Sequence, residues 1–364
     1  MPAKEVNVIK YFSPAWFAVV MGTGGLANVA HSFGSSLPAA NNIAVFLWLL
    51  NCLLFVVLLV PWLIRWLAYK EQVMADLKHP MMSNFFITMP AGCIILGTNF
   101  LLIGQPFLSA ALLTSIGIIL YITGAVLAFT FAVVGFYNLV SIEQLGPEPI
   151  NFAWLMMPVV NIVVPLLGNL LVKALAPGNL AAAKLVHVFD VTFYGIGIML
   201  FFIMAVVVFN RLIMHKLPPA MAAPTFWVLL GPIGVGTVSL YGLGDVSKFL
   251  GMISNVDGIK FGGLVFWGFG LWAFIFTLSV TIKYWRIQGI PFSLSWWAFI
   301  FPMAAYTLST LVVYQYCNVG LVLIYGVFLS VLLAVMWLVI FIRTLMAALN
   351  GKIFAPPPVP NQAK

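Results

Sequence analysis

The chain has 364 residues, 63% of them hydrophobic and only 7% charged, with a formal net charge of +8. Soluble domains carry roughly 25% charged residues, so this composition excludes an ordinary globular enzyme and points to an integral membrane protein. The basic residues are scattered between apolar blocks rather than gathered on one face, which argues against a nucleic-acid surface.

In chain order, the intervals free of Asp, Glu, Lys and Arg are 11–64, 79–142, 149–172, 191–210, 217–244, 261–282 and 287–342. A membrane helix needs about 20 apolar residues. The three long intervals therefore hold two spans each and the four short ones hold one each, which gives ten. Breaks inside the long intervals fall at the turn-like stretches HSFGSSLPAANN, GQPF and YCNVG. The first apolar block has polar interruptions, lacks a small-residue cleavage site and leads straight into further spans, so it reads as a span rather than a signal peptide. The segment RWLAYKEQVMADLKH (65–79) is too charged to cross and reads as a short interfacial helix or loop. The tail APPPVPNQAK has the composition of a disordered segment.

With the N-terminus inside, Lys4, Lys10, Arg65, Lys70, Lys78, Arg211, Lys216, Lys283, Arg286, Arg343, Lys352 and Lys364 are cytoplasmic, and only Lys173, Lys184, Lys248 and Lys260 fall outside. That bias predicts a multi-pass protein of the cell membrane with both termini cytoplasmic. The expected divisions are a cytoplasmic N-terminus (1–12), a transmembrane domain (13–346) and a cytoplasmic proline-rich tail (347–364).

A repeat runs through the spans. The segments WFAVVMG (16–22), NFFITMP (84–90), FAWLMMP (152–158), FWVLLGP (226–232) and WWAFIFP (296–302) each open on an aromatic within two residues and close at the seventh residue in Gly or Pro. The anchors Gly22, Pro90, Pro158, Pro232 and Pro302 are 68, 68, 74 and 70 residues apart. Each interval holds two spans, so successive repeats enter the membrane in the same direction and are related by an axis along its normal. Five helical hairpins around that axis are the simplest architecture. The odd spans are assigned to the inside, because a proline within a helix kinks it and frees a carbonyl that protein or a watery cavity must satisfy. The even spans, such as 45–64 and 327–342, are bulky and aliphatic, as lipid-facing helices should be. The alternative is that Gly and Pro merely permit tight helix packing.

No charged residue lies in the middle of an odd span, which argues against carboxylate-driven coupling and against a cation route lined by acid rings. The polar candidates for a pore lining are small or uncharged: Gly24, Asn28, His31, Asn99, Asn161, Ser239, Tyr306 and Ser309. The residues before the anchors are Met21, Met89, Met157, Gly231 and Phe301, and under rotational symmetry they would share one depth. Four large apolar groups there would form a hydrophobic constriction; ordinary packing between helices is the alternative. A basic cytoplasmic rim would concentrate anions at that mouth, though the same residues serve topology and lipid contact. Cys52, Cys93 and Cys317 show no metal-ligand spacing and read as buried small hydrophobes, so neither a metal nor a cofactor is expected. His187 and Asp190, three apart at the start of the sixth span, read as a local hydrogen-bonded pair at the outer interface. A membrane-embedded enzyme would need a cluster of nucleophile or metal ligands that the spacing does not supply. A haem or redox protein would need facing histidines, and only His31 and His187 are candidates.

WWAFIFP (296–302) and PAWFAVVMGTG (14–24) resemble the tellurite-resistance/dicarboxylate transporter family, the group of the tellurite-resistance protein TehA, the slow anion channels, sulfite efflux pumps and the malic acid permease. The resemblance covers roughly 12 to 345. It implies an all-α membrane fold of ten helices, as five hairpins in quasi-five-fold arrangement around a central pore, usually as a homotrimer. By match to the family's Phe-Pro motif, the phenylalanine that plugs the pore falls on Phe301. The resemblance implies transport of anions, with C4-dicarboxylates such as malate first and small inorganic anions (tellurite, sulfite, chloride, nitrate) as the alternative.

Overall fold

The structure is a computed structural model, described over residues 7–354; residues 1–6 and the proline-rich stretch 355–364 lie outside it. All regular structure among the described residues is helical, in the order α1 (Ala18–Ser32), α2 (Pro38–Ala68), α3 (Lys70–Lys78), α4 (Thr88–Ile103), α5 (Ala110–Val140), α6 (Met156–Leu175), α7 (Leu180–Met214), α8 (Leu230–Phe249), α9 (Asp257–Ile287), α10 (Ile300–Cys317) and α11 (Gly320–Leu349). The expected breaks fall between helices. YCNVG becomes a two-residue turn in which Asn318 takes a left-handed conformation (φ 50°), one of the few that Asn adopts readily. The charged stretch 65–79 holds the end of α2 and the nine-residue α3, tied together by an Arg65–Asp76 ion pair and by an Arg65 Nε bond to the Lys10 carbonyl (3.1 Å).

Long and short helices alternate. Helices α2, α5, α7, α9 and α11 have 30 to 35 residues, while α1, α4, α6, α8 and α10 have 15 to 20. A 3₁₀ segment precedes each short helix: Pro14–Phe17, Met82–Phe85, Phe152–Leu155, Ala220–Leu229 and Leu294–Phe299. This is the structural form of the sequence repeat. A 3₁₀ turn rises about 2.0 Å per residue against 1.5 Å for an α-turn, so these segments lengthen α1, α4 and α10, whose 15, 16 and 18 residues fall short of the roughly 30 Å hydrocarbon thickness, while α6 and α8 at 20 residues reach it unaided. Ser13, Asn151 and Ser293 begin three of the five by accepting a bond from the backbone N–H two residues on.

The prolines sit at this join. Pro90, Pro158, Pro232 and Pro302 are each the third residue of their α-helix, where a backbone N–H has no intrahelical partner to lose. They therefore mark where tight coiling gives way to α-helix, rather than kinking the middle of a continuous α-helix as the sequence suggests. Gly22 lies two residues deeper into α1 and acts by close contact instead, since a Cβ there would come within 2.8 Å of the Trp297 ring and 2.9 Å of Ile300.

Nine helices among the described residues are long and apolar enough to cross a membrane. The first segment, Pro14–Ser32, falls short because α1 has 15 residues with three glycines, a threonine, an asparagine and a histidine. Burial divides the set. In the spans that contain α4, α6, α8 and α10, 83% to 89% of the most apolar window is buried; in the five long helices the share is 22% to 39%. Every residue of α1 from Val19 to Val29 is buried. Each short helix packs against the long one that follows it, and the short helices touch in the order α1, α4, α6, α8, α10, with α10 returning to α1. The long helices expose rows of Leu, Val, Ile and Phe, as a lipid-facing layer requires.

The α8–α10 seam shows what small residues do here. A Cβ on Gly234 would run into the backbone at Ala305 and Tyr306, so the two helices meet main chain to side-chain-free main chain. Gly234→Ala should therefore lower stability by about 1–3 kcal/mol. A drop in the midpoint of thermal unfolding of the detergent-solubilised protein would register it; an unchanged midpoint would contradict this packing.

Candidate functional site

Trp296 and Trp297 set the start of α10. Trp297 is fully buried against Gly22 and donates its indole N–H to Thr344 Oγ1 on α11 (3.0 Å). Trp296 donates to the Pro291 carbonyl (2.9 Å) and carries the Arg343 guanidinium over its ring at 5.2 Å. These anchors hold the stretch of backbone that leads, four residues after Trp297, to Phe301.

Two apolar cavities flank Phe301. The first, about 40 Å³, is lined near the starts of the short helices by residues that include Met21, Ile87, Val159, Gly231 and Phe301. The second, about 20 Å³, lies further along and includes Asn28, Ile95, Leu166, Val238 and Phe301 in its wall. The 3₁₀-and-α units of all five repeats contribute to both. Phe301, 6% exposed, is the one residue common to the two linings, so its ring is the partition between them. Among the described residues, no charged side chain lines either space.

Three repeats present the same register to these cavities. Relative to the anchor, positions −4, −1, +3 and +6 are Ala18, Met21, Gly25 and Asn28; Val228, Gly231, Val235 and Val238; and Ala298, Phe301, Ala305 and Leu308. In α6 the lining residues are Met156, Val159 and Leu166, two positions later, and α4 with its 3₁₀ segment offers Phe85, Ile87 and Ile95. Met21 and Gly231 stand with Phe301, but Met157 points its sulfur at Gly135 on α5, and Met89 lies 3.9 Å from Cys93 Sγ on its own helix rather than in the wall. A helix turns 100° per residue, so a slip of two positions carries a side chain from the axis to the back.

Of the polar candidates, Asn28 alone lines a cavity. Asn99 sits behind it, fully buried, donating to Asn28 Oδ1 (2.7 Å) and to the Gly24 carbonyl (3.0 Å). Gly24 is the close-contact point of α1 with Asn51 and Asn99. Ser239 ties α8 to the Ile162 carbonyl of α6 (2.8 Å), Ser309 bonds within its own helix to the Tyr306 carbonyl (2.8 Å), and Asn161 does the same to the Met157 carbonyl (3.3 Å). Tyr306 faces the long helices, stacked on Trp267 and meeting Tyr325 edge-on. His31 is half-buried at the end of α1, outside both linings.

His187 and Asp190 are buried but not bonded to each other. Asp190 accepts from Tyr121 Oη on α5 (2.7 Å), and His187 Nε2 pairs with Ser247 Oγ on α8 (2.8 Å). The spacing puts them on one helix face, and that face packs inward against two different helices. Asn51, in α2, escapes the sequence reading: it donates to Asn99 Oδ1 (3.1 Å). A lone Asn within VFLWLLNCLLFVV is the available signal, since an unpartnered amide facing lipid is costly. Among the described residues no group of three or more His, Cys, Asp or Glu is placed to hold a metal.

These features describe a multi-pass α-helical membrane protein with small apolar spaces enclosed by its buried helices. The chain belongs to the SLAC1 family, described as voltage-dependent anion channel, whose model matches residues 11–345. Its members are transporters or channels rather than enzymes. The chain is 34% identical over 350 residues to a protein of Methanocaldococcus jannaschii named an uncharacterized transporter, covering 96% of this chain and 97% of that one. It is 28% identical over 360 residues to a sulfite efflux pump of Arthroderma otae (95% and 93% covered) and 21% identical over 381 residues to the malic acid transport protein of Schizosaccharomyces pombe (97% and 84% covered).

The Trp297 anchor is open to test. Thr344→Val leaves a buried indole N–H without a partner and should cost about 1–3 kcal/mol, read as a lower unfolding midpoint in detergent; Thr344→Ser should retain most of the wild-type value.

Proposed function

We infer that this protein carries small anions across the membrane along the axis of its five short helices, with Phe301 closing the route. The observation that carries the reading is the partition: two cavities, each walled by all five repeats, share Phe301 and no other residue. Ten spans, as five hairpins in quasi-five-fold arrangement around a central pore, are the architecture in which such a route makes sense. The closed sequence of contacts among the short helices and their burial behind the long ones support it. The twelve-to-four split of basic residues favours both termini on the cytoplasmic side of the cell membrane, with 13–346 as the pore domain. Assembly as a homotrimer rests on the family resemblance.

A C4-dicarboxylate such as malate is the first substrate to test, and the relative named a malic acid transport protein supports it. Sulfite is the second reading, favoured by the higher identity to a sulfite efflux pump. Uptake of labelled malate, sulfite, nitrate and chloride into proteoliposomes, with and without a proton gradient, separates these.

Phe301→Ala removes the partition and should raise anion flux about tenfold or more, the effect of lowering a barrier by roughly 1.4 kcal/mol. Flux equal to wild type in well-folded protein would remove Phe301 from its gating role. With no ionisable side chain among the described residues on either cavity, chloride flux through the Phe301→Ala protein should vary little between about pH 5 and 8, the range over which histidine titrates. A steep titration of that flux would place an ionising group on the route.

A further inference from the structure

The second cavity has one polar side chain in its wall among the described residues, and a chain of hydrogen bonds settles which end of it faces inward. The chain starts from a group whose role is fixed: the Gly24 backbone carbonyl is an acceptor only. The Asn99 amide atom 3.0 Å from it must therefore be the nitrogen. That same nitrogen lies 2.7 Å from the Asn28 side chain, so the Asn28 atom it meets must be the oxygen. Asn99 Oδ1, on the other side, accepts from Asn51 Nδ2 at 3.1 Å, which keeps Asn99 from turning over. Both hydrogens of the Asn99 amide are thereby spent. Asn28 is left with its oxygen bonded to Asn99 and its NH₂ group without a partner among the described residues, in a residue only 5% exposed and lining the cavity.

We propose that Asn28, oriented by Asn99 and Asn51, is an anion-selecting donor in the second cavity: its amide N–H groups offer the site's side-chain hydrogen bonds to a passing anion, while its oxygen is turned to Asn99. The inference rests on the transport reading above and adds the residue that determines the sign of charge accepted. The rest of the lining is aliphatic apart from Gly25 and the Phe301 ring, so a dehydrating ion has little else to meet there, and a hydrogen bond to a charged partner is strongest in such surroundings. The arrangement is directional without being charged. An amide binds an anion weakly enough to release it, whereas a lysine at the same place would hold it. Asn99 and Asn51 are positioning residues: they touch Asn28 or each other and not the cavity.

The test uses the full-length Phe301→Ala protein in planar bilayers or proteoliposomes with asymmetric potassium chloride, and reads the chloride-to-potassium permeability ratio from the reversal potential. The parent should prefer chloride. Adding Asn28→Ala should lower the ratio about tenfold, as loss of one hydrogen bond to a charged group does. Asn28→Asp, which is isosteric and turns donor into acceptor, should bring the preference to potassium. Asn99→Leu, with Asn28 intact, should also lower the ratio by freeing the amide to turn. Asn99 is a buried link between helices and this variant risks misfolding, but the two changes at the cavity wall stand without it. If Asn28 only packs α1 against α4, these variants shift the unfolding midpoint and leave the reversal potential of monodisperse protein at the parent value; that result overturns the proposal while anion transport stands. A Phe301→Ala parent that carries none of chloride, malate and sulfite overturns the transport reading, and this one falls with it.

Discussion

In hydrocarbon every backbone N–H and C=O must find a partner within the protein, since an unmet one costs several kcal/mol. Helices that begin in 3₁₀ turns, carry prolines in the first α-turn and use glycine at their contacts meet that demand poorly by themselves. They are tolerable only where other helices surround them, and the rest of this molecule answers that need. The five long helices are apolar on their exposed faces and keep lipid away from the five short ones. Because the short helices are so shielded, they can be irregular, and small gaps remain among them instead of continuous side-chain packing.

The layered arrangement was legible in the sequence for the same reason. Charge-free intervals, turn-rich breaks and the Gly/Pro anchors each report a demand of the bilayer, and such demands act on residue type. What the sequence hides is angular. Met157 and Met156 are neighbours of identical chemistry, and only the rotation of α6 decides that Met156 reaches the first cavity while Met157 is spent on Gly135. The prolines were similarly visible as a repeat but not as 3₁₀-to-α joins, because a missing N–H has the same sequence signature in either place. His187 and Asp190 failed as a pair because spacing places them on one face without saying which helices that face will meet.

The cavity linings also say something about how charge is handled. An ion in an apolar space of 20 to 40 Å³ would pay a large desolvation penalty, so on the proposed reading the spaces as they stand are closed to ions, and passage would need Phe301 to move and water to enter. Fixed charges along the route would bind a counter-ion tightly. On the reading proposed above, a single oriented amide would give preference without a trap and leave the electrostatic work to the solvent that enters with the ion.

One seam bears on how the protein is made. Helix α1 closes at Gly22 against Trp297 of the last 3₁₀ segment and Ile300 of α10, and against α11 through the Trp337 indole bond to Thr23 Oγ1 (3.1 Å), partners separated by 314 residues. At ordinary rates of synthesis, about 5–20 residues per second, those partners leave the ribosome on the order of tens of seconds after α1 does. Throughout that interval the least apolar of the buried short helices has one of its flanks unfilled. Insertion must therefore proceed with α1 leaning on α2 and the later arrivals alone, and the ring can shut only when the last hairpin is delivered. The first helix of the chain is the last to be fully housed.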